Sequence, residues 1–573
     1  MDCWPLTAAL SNHQIRSNIE SHLLQALLLC VGGCYLWWLT RYQIHWDEFY
    51  YLAQIHQFVN FGEARSLQSL HVHLFPWLTQ VAANEVDQVN LGRGVMLIAL
   101  SISGWALYQL ARHYLDSKAS LFALICWLSV SYVLNSGAQF RVDPLLCALI
   151  SSAYSLLICR PHHRSTRFGA PILVAIALML SIKSLLLLPA LALLQWGAHH
   201  SKAVAITRLL LSATLTLTLF SIMLMLHQGV SSPPEISGVA PGATGTLSSA
   251  LQYTLLNLQW FPRFDYFKQL LLDNPALVFA ASIGLISLIK SRPACLAGQS
   301  ANQTPTLGLA LIAQSLPLLS LLFYRNAYPY FYPLLLIPLS LLAGLGWQWL
   351  SHSRIRRFRY LLLLFILPTL FQFGLMKPQW HNQTEQRQLL SVIHQLFPEP
   401  VAYLDRSGMI ASFPKVGPFL SSWTLSKYAS NQHPVLREAI LKHQPPLYLV
   451  NTPVLDLDHR IYPKWGAKLV EEDQKALRAH YLPLWGPLYV AGKQLVLTEQ
   501  TQQIQLVIGG QYQLMGPGSV LLDQQRFAAD DMITLAPGHY RLKAFVPGTY
   551  QLRWQGLQPP HHSPPHSPLF SGF

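Results

Sequence analysis

The sequence predicts a polytopic α-helical membrane protein with a C-terminal extracytoplasmic α/β domain and a small β module. Three observations lead to this fold class. Charged residues make up only 11% of the 573 residues, against roughly a quarter in soluble proteins. Long apolar runs recur up to about residue 376 and then stop. Shorter helix and strand patterns follow them. A disordered chain, a secreted disulfide scaffold and a simple cytosolic enzyme are therefore excluded.

The apolar runs predict about 11 transmembrane helices over residues 22–376, because a helix crosses the hydrocarbon layer in about 20 residues. The first run lacks the basic start and the small-residue cleavage site of a secretory signal. We therefore expect it to remain as an anchor after a cytoplasmic N-terminus, residues 1–21. The predicted spans are 22–40, 94–113, 119–137, 142–159, 169–182, 184–197, 208–227, 275–290, 307–323, 328–349 and 360–376.

Residues 169–197 decide the topology, because Lys183 interrupts this apolar stretch near its middle. Either one long span buries the lysine, or two short spans turn at it. Cytoplasmic loops collect Lys and Arg, and only two spans place every basic cluster on one side. We therefore predict a turn at Lys183, a multi-pass protein of the cytoplasmic (inner) membrane, and residues 377–573 outside. The basic clusters are Arg112/Lys118, Arg160/Arg164/Arg167, Lys202/Arg208, Lys290/Arg292 and Arg354/Arg356/Arg357/Arg359.

The predicted outer side carries two long loops, 41–93 and 228–274, and the C-terminal modules. Helical stretches alternate with short apolar strands over 377–500, which is typical of a small α/β domain. Residues 501–556 alternate apolar runs with Gly-Gly and Pro-Gly turns, which predicts an antiparallel β-sheet module. The Pro- and His-rich residues 557–573 are predicted to be a disordered tail, although their histidines would also suit a metal.

Asp47 and Glu48 directly follow the first span in the segment His45–Tyr51. Adjacent residues of a helix point about 100° apart, so both acids cannot serve one atom. One interpretation is that Asp47 caps a surface helix running to about Val59. The other is that one of the two acids is a general base at the mouth of a membrane cavity.

A second acidic site is Asp143, at the outer start of a predicted span. A following Pro144 is typical of a helix N-terminus, so a purely structural role is one interpretation. Arg141, two residues earlier on the outer face, favours a functional role.

Isolated cations on the predicted outer side run against the usual charge bias. Lys183 and Arg325 have no acid within ten residues and lie at turns between apolar helices, which makes them functional candidates. A lipid-borne phosphate would suit them, and snorkelling or intramolecular pairing is the alternative. The outer cations are Arg41, Arg65, Arg93, Arg141, Lys183, Arg263, Lys268 and Arg325.

His71 and His73 lie later in the first outer loop, and alternate spacing puts both on one face of an extended segment. Two histidines are a weak signal for a divalent metal. Hydrogen-bonded loop histidines are the default interpretation.

Together these features resemble the GT-C membrane glycosyltransferases, the group of protein O-mannosyltransferases and lipid A aminoarabinose transferases. The similarity covers about residues 22–376 and depends on the order and placement of the segments, not on one motif. The segments are Trp46–Gln54, Ser136–Leu146 (SGAQFRVDPLL), Ser181–Leu185 (SIKSL) and Tyr324–Pro333 (YRNAYPYFYP).

The resemblance implies a GT-C-like domain that transfers a hexosyl or pentosyl group from a polyprenyl-phosphate donor, by inverting displacement, on the outer side of the membrane. The acceptor would be a glycolipid, glycan or protein. Asp47 matches the acid that activates the acceptor hydroxyl, Glu48 would position it or support the loop, and Asp143 matches a second outer acid. The expected donor-phosphate-binding residues are Lys183, Arg325, Arg93 and Arg141.

One departure leaves the cofactor open. Aminoarabinose transferases carry a Glu late in the first loop that helps to bind a metal, whereas His71–Trp77 contains no acid. The sequence therefore leaves open whether the protein binds a divalent metal and whether lipid A is its acceptor.

Two other functions are also open. One is a lipid-linked saccharide transporter or flippase, although the internal inverted repeats common in transporters are not evident. The other is a non-enzymatic envelope assembly protein that acts through its outer modules. Membrane lipids are expected partners in every case, and nucleic acid is not.

Overall fold

The chain forms a helical membrane domain followed by a C-terminal β-rich domain, which we call the outer domain after its predicted side. The expected loop 228–274, the last predicted span and the tail 557–573 lie partly outside the described residues. The computed structural model describes residues 4–232, 260–290, 305–374, 377–420, 424–425, 428, 432–458, 469–565 and 569–570.

Every predicted span overlaps with helix among the described residues, but the predicted span 119–137 is broken between Leu128 and Ser131. Among the described residues, five helices are long and apolar enough to cross a membrane, or seven if two bent pairs each form one span. The bent pairs turn by 89° at Asn274 and by 53° at Leu336. The polytopic α-helical fold class is confirmed, and the number of 11 spans stays a prediction.

The helices of the membrane domain often begin or end at polar side chains. Asn84 Oδ1 accepts from Val86 N at 3.0 Å, so the second long helix begins well before the predicted residue 94. The helices are α1 (Trp4–Arg41), α2 (Trp46–Phe61), α3 (His71–Leu74), α4 (Leu78–Val81), α5 (Glu85–Tyr114), α6 (Ser117–Leu128), α7 (Ser131–Ser136), α8 (Val142–Cys159), α9 (Arg164–Leu180), α10 (Leu188–Gly197), α11 (Lys202–Val230), α12 (Phe264–Asp273), α13 (Pro275–Lys290), α14 (Leu307–Ser315), α15 (Tyr332–Leu335), α16 (Ile337–His352), α17 (Arg359–Leu364) and α18 (Ile366–Gly374).

The apolar stretch around Lys183 is broken in the structure. Helix α9 ends at Leu180, and a 3-10 helix spans Ile182–Leu187 before α10. Ser181 Oγ accepts from the Lys183 backbone N at 3.4 Å, and Ser184 Oγ donates to the Ala177 carbonyl at 2.6 Å. The Ala177 carbonyl also accepts from Ser181 N at 3.0 Å, so both serines contribute hydrogen bonds to the backbone at the break.

Helices α13 and α16 pack closely because both carry glycine at their contact. A Cβ on Gly284 would lie 1.9 Å from the Leu342 carbonyl oxygen, and one on Gly346 would lie 2.2 Å from that of Ala280. Only glycine permits this approach of two backbones, as in other membrane helix pairs.

The outer domain contains two β-sheets. One has seven strands in the order β1-β2-β4-β11-β6-β9, with β3 paired to β4, and the other has the order β5-β10-β7-β8. Its helices are α19 (Lys377–Leu396), α20 (Val435–His443) and α21 (Glu471–His480). The strands are β1 (Tyr403–Leu404), β2 (Leu447–Leu449), β3 (Tyr481–Trp485), β4 (Leu488–Leu497), β5 (Gln502–Leu506), β6 (Gly510–Met515), β7 (Val520–Leu522), β8 (Gln525–Phe527), β9 (Met532–Leu535), β10 (Gly538–Ala544) and β11 (Gly548–Trp554).

The predicted boundary at residue 500 does not separate two sheets. Strand β11 pairs with β4 over Gly548–Arg553, so the expected β module extends the sheet of the expected α/β domain. The turn and strand patterns correctly indicated strands in this region. The pairing of β11 with β4 joins residues about 50 positions apart, so no pattern of neighbouring residues predicts it.

The predicted disordered tail packs on the protein wherever the structure describes it. Trp485 Nε1 donates to the His562 carbonyl at 2.9 Å. Leu569 is buried, and the Phe570 ring contacts the Phe49 ring edge-on, with a centroid distance of 6.1 Å. The Pro- and His-rich composition misled the prediction, because it does not reveal the pocket that receives Leu569.

One hydrophobic core joins the membrane and outer domains. Residues of the first outer loop, of α19 and of the β1–β2–β4 sheet meet in it. The outer domain therefore packs directly on the loop that carries the candidate acids. Members include Phe49, Leu52, Phe75, Leu389, Ile393, Tyr403, Leu447 and Leu488.

Candidate active site

Helix α2 presents Asp47 and Glu48 in its first turn. The N-cap is His45, whose Nδ1 accepts from Asp47 N at 3.3 Å. His45 N in turn donates to Glu48 Oε2 at 2.8 Å, which completes a capping box. The interpretation of Asp47 as the helix cap is therefore wrong, because His45 performs that role. The two carboxylates have separate partners.

Four buried charged side chains form what we call the ionic chain: Asp47, Arg141, Asp143 and Lys183. Arg141 NH1 donates to Asp47 Oδ2, and Arg141 Nε donates to Asp143 Oδ2 at 3.3 Å. Lys183 Nζ donates to Asp143 Oδ1 at 2.5 Å. Exposure of each residue is 9% or less. The structure thus brings two predicted acids and two predicted cations together from three separate segments.

Helix geometry explains how the ionic chain forms. Arg141 is the N-cap residue of α8 in extended conformation, and Asp143 lies in the first turn of that helix. The positive end of the helix dipole favours a carboxylate there. The break between α9 and α10 leaves Lys183 at the same level, so that its ammonium group reaches Asp143.

Tyr330 covers both cations of the ionic chain. The centroid of its ring lies 3.8 Å from Arg141 Cζ and 4.2 Å from Lys183 Nζ. Such cation–π contacts stabilise buried cations. Tyr330 belongs to the Tyr/Pro-rich segment noted in the sequence, but nothing in that segment distinguished it from the neighbouring aromatics. A cavity of about 10 Å³ lies beside Asp143 and Tyr330.

Glu48 forms a second buried ion pair, with Arg93, and neither residue is exposed. Arg93 NH2 donates to Glu48 Oε2 at 2.6 Å, and Phe140 N donates to Glu48 Oε1 at 2.7 Å. All five N–H groups of Arg93 are used, so none is left for the phosphate expected from the sequence. Besides Glu48, the acceptors of Arg93 are the carbonyls of Leu39, Tyr42 and Gln43.

Arg325 lies beside another outer cation. Its backbone carbonyl accepts from Arg263 Nε at 3.3 Å, and Arg263 NH2 also donates to the Tyr328 hydroxyl. Arg325 follows the buried Tyr324 and precedes Tyr330 by five residues. It is thus on the segment that covers the ionic chain, whereas Lys183 and Arg141 are members of that chain.

The two loop histidines have different environments. His71 is buried against Tyr51, with ring centroids 4.9 Å apart, and burial lowers its pKa to about 3. His73 Nε2 and His227 Nδ1 are 2.7 Å apart, and His227 Nε2 lies 2.7 Å from the Arg65 carbonyl oxygen. In the described part of the chain, no group of three or more His, Cys, Asp or Glu residues is placed to hold a metal. These residues do not fit a resident divalent metal.

The outer domain supplies side chains next to Asp47. Arg406 Cζ lies 4.5 Å from the centroid of a Trp46 ring, and Phe419 stacks on Tyr50 at 4.1 Å. Phe419 also contacts Trp46 at 5.5 Å. We call Trp46, Tyr50, Phe419 and Arg406 the aromatic surface. Sequence reasoning missed its two outer-domain members, because nothing near residues 406 or 419 indicates contact with the first loop.

Helix α19 binds the backbone just before α2. Gln386 Oε1 accepts from Ile44 N at 2.9 Å, and Gln386 Nε2 donates to the Ile44 carbonyl at 2.7 Å. The same Nε2 donates to the Leu569 carbonyl at 2.8 Å. Gln386 has no exposed surface. One side chain thus joins the outer domain, the C-terminal tail and the segment that leads into Asp47.

Comparison with known proteins finds a family model and solved structures that are similar to the chain. Residues 73–226, which include Arg93, Arg141, Asp143 and Lys183, match the family model described as dolichyl-phosphate-mannose-protein mannosyltransferase. The structure of ArnT from Cupriavidus metallidurans bound to undecaprenyl phosphate is similar over 78% of this chain and 95% of that chain, with a TM-score of 0.52 and 12% sequence identity. The protein has the GT-C fold. The resemblance in fold to GT-C membrane glycosyltransferases is thereby confirmed.

Two further solved structures are similar to the chain. Apo ArnT from Cupriavidus metallidurans covers 79% of this chain and 96% of its own, with a TM-score of 0.44 and 14% identity. The structure of the Archaeoglobus fulgidus oligosaccharyltransferase in complex with Zn and sulfate is similar over 88% of this chain and 91% of its own chain, with a TM-score of 0.45 and 10% identity. No curated protein matches the chain significantly. The GT-C fold and the apolar helices support a multi-pass membrane protein.

Proposed function

We propose that the protein transfers a sugar from a polyprenyl-phosphate donor to an acceptor hydroxyl on the outer side of the membrane, by inverting displacement. The observation that carries this proposal is the ionic chain, which joins a carboxylate of the first loop to two buried cations. That arrangement provides a base and a phosphate site within one connected group. ArnT, whose structure contains undecaprenyl phosphate, has the same fold.

Asp47 is the proposed general base. Burial raises the pKa of its carboxyl above the ordinary value, and the neighbouring Arg141 offsets part of that rise. A higher pKa makes the ionised carboxylate a stronger base. Oδ2 pairs with Arg141, whereas Oδ1 accepts no hydrogen bond from the described residues. Asp47 Oδ1 is therefore the atom that would take the proton of the acceptor hydroxyl.

Lys183 and Arg141 are the proposed binding groups for the donor phosphate. Before the donor arrives, Asp143 holds both cations in place. Phosphate oxygens would replace some of these carboxylate contacts, because charge-assisted hydrogen bonds favour phosphate on such groups. Arg325, on the segment that carries Tyr330, is proposed to approach the same phosphate. Tyr330 would have to move aside, since the cavity beside it is too small for a sugar.

The proposed reaction is a single displacement. The acceptor oxygen forms a bond to the anomeric carbon while the bond from that carbon to the phosphate oxygen breaks. The acceptor proton passes to Asp47, and polyprenyl phosphate leaves with its bonding electrons. Preorganised cations stabilise the charge that develops on the leaving phosphate.

Glu48 and Arg93 are proposed as positioning residues, since both are buried away from any substrate. Their ion pair fixes the start of α2, and therefore the direction of Asp47. The aromatic surface lies on the outer side of Asp47. We propose that the glycolipid, glycan or protein acceptor reaches Asp47 along it.

The decisive test of this function is Asp47→Asn. General base catalysis contributes roughly 100- to 10,000-fold, so we expect transfer to fall at least about 100-fold. The measurement is mass spectrometry of envelope glycolipids and glycoproteins from a deletion strain that expresses each variant. The missing mass increment identifies both the sugar and the acceptor.

Asp87→Asn is the matched control. Asp87 is an acid of the same loop, but it is 41% exposed in its surface pair with Arg387, and the change should leave transfer intact. Normal glycosylation by Asp47→Asn at normal expression would overturn the proposal and favour an assembly protein. Continued movement of a lipid-linked saccharide across the membrane without transfer would favour a flippase.

A further inference from the structure

The basic residues at the end of α8 farthest from the ionic chain surround a second cavity. It has a volume of about 540 Å³ and lies between α9, α10 and α11. Helix α8 ends at Cys159, so this end is roughly 24 Å from Asp143 along the helix axis. The cavity is therefore separate from the candidate active site.

The mouth of this cavity is strongly cationic. Arg167 and Arg208 line it together with His162 and His199. Neither arginine pairs with a carboxylate within the described residues, and no acid lines the cavity. The buried Nε2 of His199 also has no hydrogen-bond partner among the described residues. This combination would repel cations and attract an anion.

Two helix N-termini add to the positive potential at the mouth. Helices α9 and α11 begin at Arg164 and Lys202, close to the cationic lining in sequence. The positive ends of both helix dipoles lie at these first turns. Arginines and helix N-termini thus favour the same kind of ligand, an anionic headgroup.

Apolar side chains also line the cavity. They are Phe168, Val204, Leu211 and Leu215, and the lining along α11 extends to Thr218. From Val204 to Thr218 the helix rises roughly 21 Å, which is enough for most of an acyl chain. Helix α11 is also mostly exposed along its length, with only Ala205, Thr216 and His227 buried. The cavity can therefore open sideways to the lipid.

We propose that this cavity binds one anionic glycerophospholipid of the cytoplasmic leaflet, with its phosphate between Arg167 and Arg208 and one acyl chain along α11. Basic pockets between helices on the cytoplasmic side suit such headgroups. The predicted topology places these arginines on that side. The proposal is independent of the sugar-transfer reaction, because it uses none of the residues of the ionic chain.

Native mass spectrometry of the purified full-length protein tests this proposal. Phosphatidylglycerol or phosphatidylcholine is added to delipidated protein, and the retained lipid is counted. We expect one tightly retained phosphatidylglycerol, and roughly 10- to 30-fold weaker retention by the double variant Arg167→Gln/Arg208→Gln. The control Arg354→Gln/Arg356→Gln removes two exposed arginines from another predicted cytoplasmic loop and should retain the lipid.

A second variant separates lipid binding from loss of charge. Leu211→Trp fills the apolar part and keeps both arginines, so it should also lose the lipid, even if the double arginine variant does not fold. Equal retention of phosphatidylglycerol by wild type and Leu211→Trp would overturn the proposal. So would equal retention of phosphatidylcholine, displacement by millimolar inorganic phosphate, or retention of polyprenyl phosphate alone.

Discussion

At the scale of single residues, the neighbouring acids Asp47 and Glu48 have opposite environments. Asp47 belongs to the ionic chain, and its Oδ1 accepts no hydrogen bond from the residues that the structure describes, whereas Glu48 is saturated by Arg93 and two backbone N–H groups. The sequence indicated that only one of the two acids would face a substrate. It did not reveal which partner Glu48 has, because Arg93 is 45 residues away in the chain.

Glu48→Gln tests the structural role of this pair. The change leaves the Arg93 guanidinium buried without a counter-charge, which costs roughly 3–5 kcal/mol. We expect the free energy of unfolding to fall by about that amount in thermal or denaturant unfolding of the detergent-solubilised protein. The control Glu438→Gln removes a surface carboxylate that is 58% exposed and should have little effect. Equal stability of Glu48→Gln and wild type would contradict the positioning role.

At the scale of elements, the sequence predicted those features that depend on local pattern. Apolar runs gave the positions of the helices, and the lysine in one run gave the break between α9 and α10. The apolar runs and Gly-Gly and Pro-Gly turns over 501–556 predicted strands in the region where the structure has β5 to β11. The pairing of β11 with β4 and the packing of the tail were missed, because both depend on partners far away in the chain.

Helix α19 illustrates a contact that no local pattern predicts. Its Gln386 makes two hydrogen bonds to Ile44, three residues before Asp47, and one to Leu569. The outer domain thereby fixes the backbone that leads into the candidate base. This is a positioning role, since Gln386 is buried among protein groups.

Gln386→Leu should therefore lower kcat and leave the KM for the lipid donor unchanged. We expect a loss of roughly 10- to 100-fold, since small misplacements of a catalytic group have effects of this size. Steady-state kinetics of sugar transfer measure it. Gln388→Leu, two residues along the same helix, changes a side chain with a single long hydrogen bond at 3.4 Å and is the matched control. A rise of roughly 10- to 100-fold in the KM for the lipid donor with an unchanged kcat would contradict this role.

At the scale of the whole molecule, the fold divides the chemistry between two ends of the membrane domain. The ionic chain lies at the end covered by the outer domain, and the cationic cavity lies at the other end of α8. The GT-C fold could be inferred from the order of four segments along the chain. The packing of the outer domain on the first loop could not be inferred from the sequence, because residues 386, 406 and 419 lie in no recognisable motif.

The measurement that tests the central claim most directly is the affinity for undecaprenyl phosphate of wild type, Lys183→Gln and Lys268→Gln. Lys268 is an exposed cation of the same predicted outer side and serves as the control. Loss of one charge-assisted hydrogen bond to phosphate predicts binding weaker by roughly 10- to 100-fold for Lys183→Gln, and unchanged binding for Lys268→Gln. Wild-type affinity in Lys183→Gln would contradict the claim that the ionic chain holds the donor phosphate.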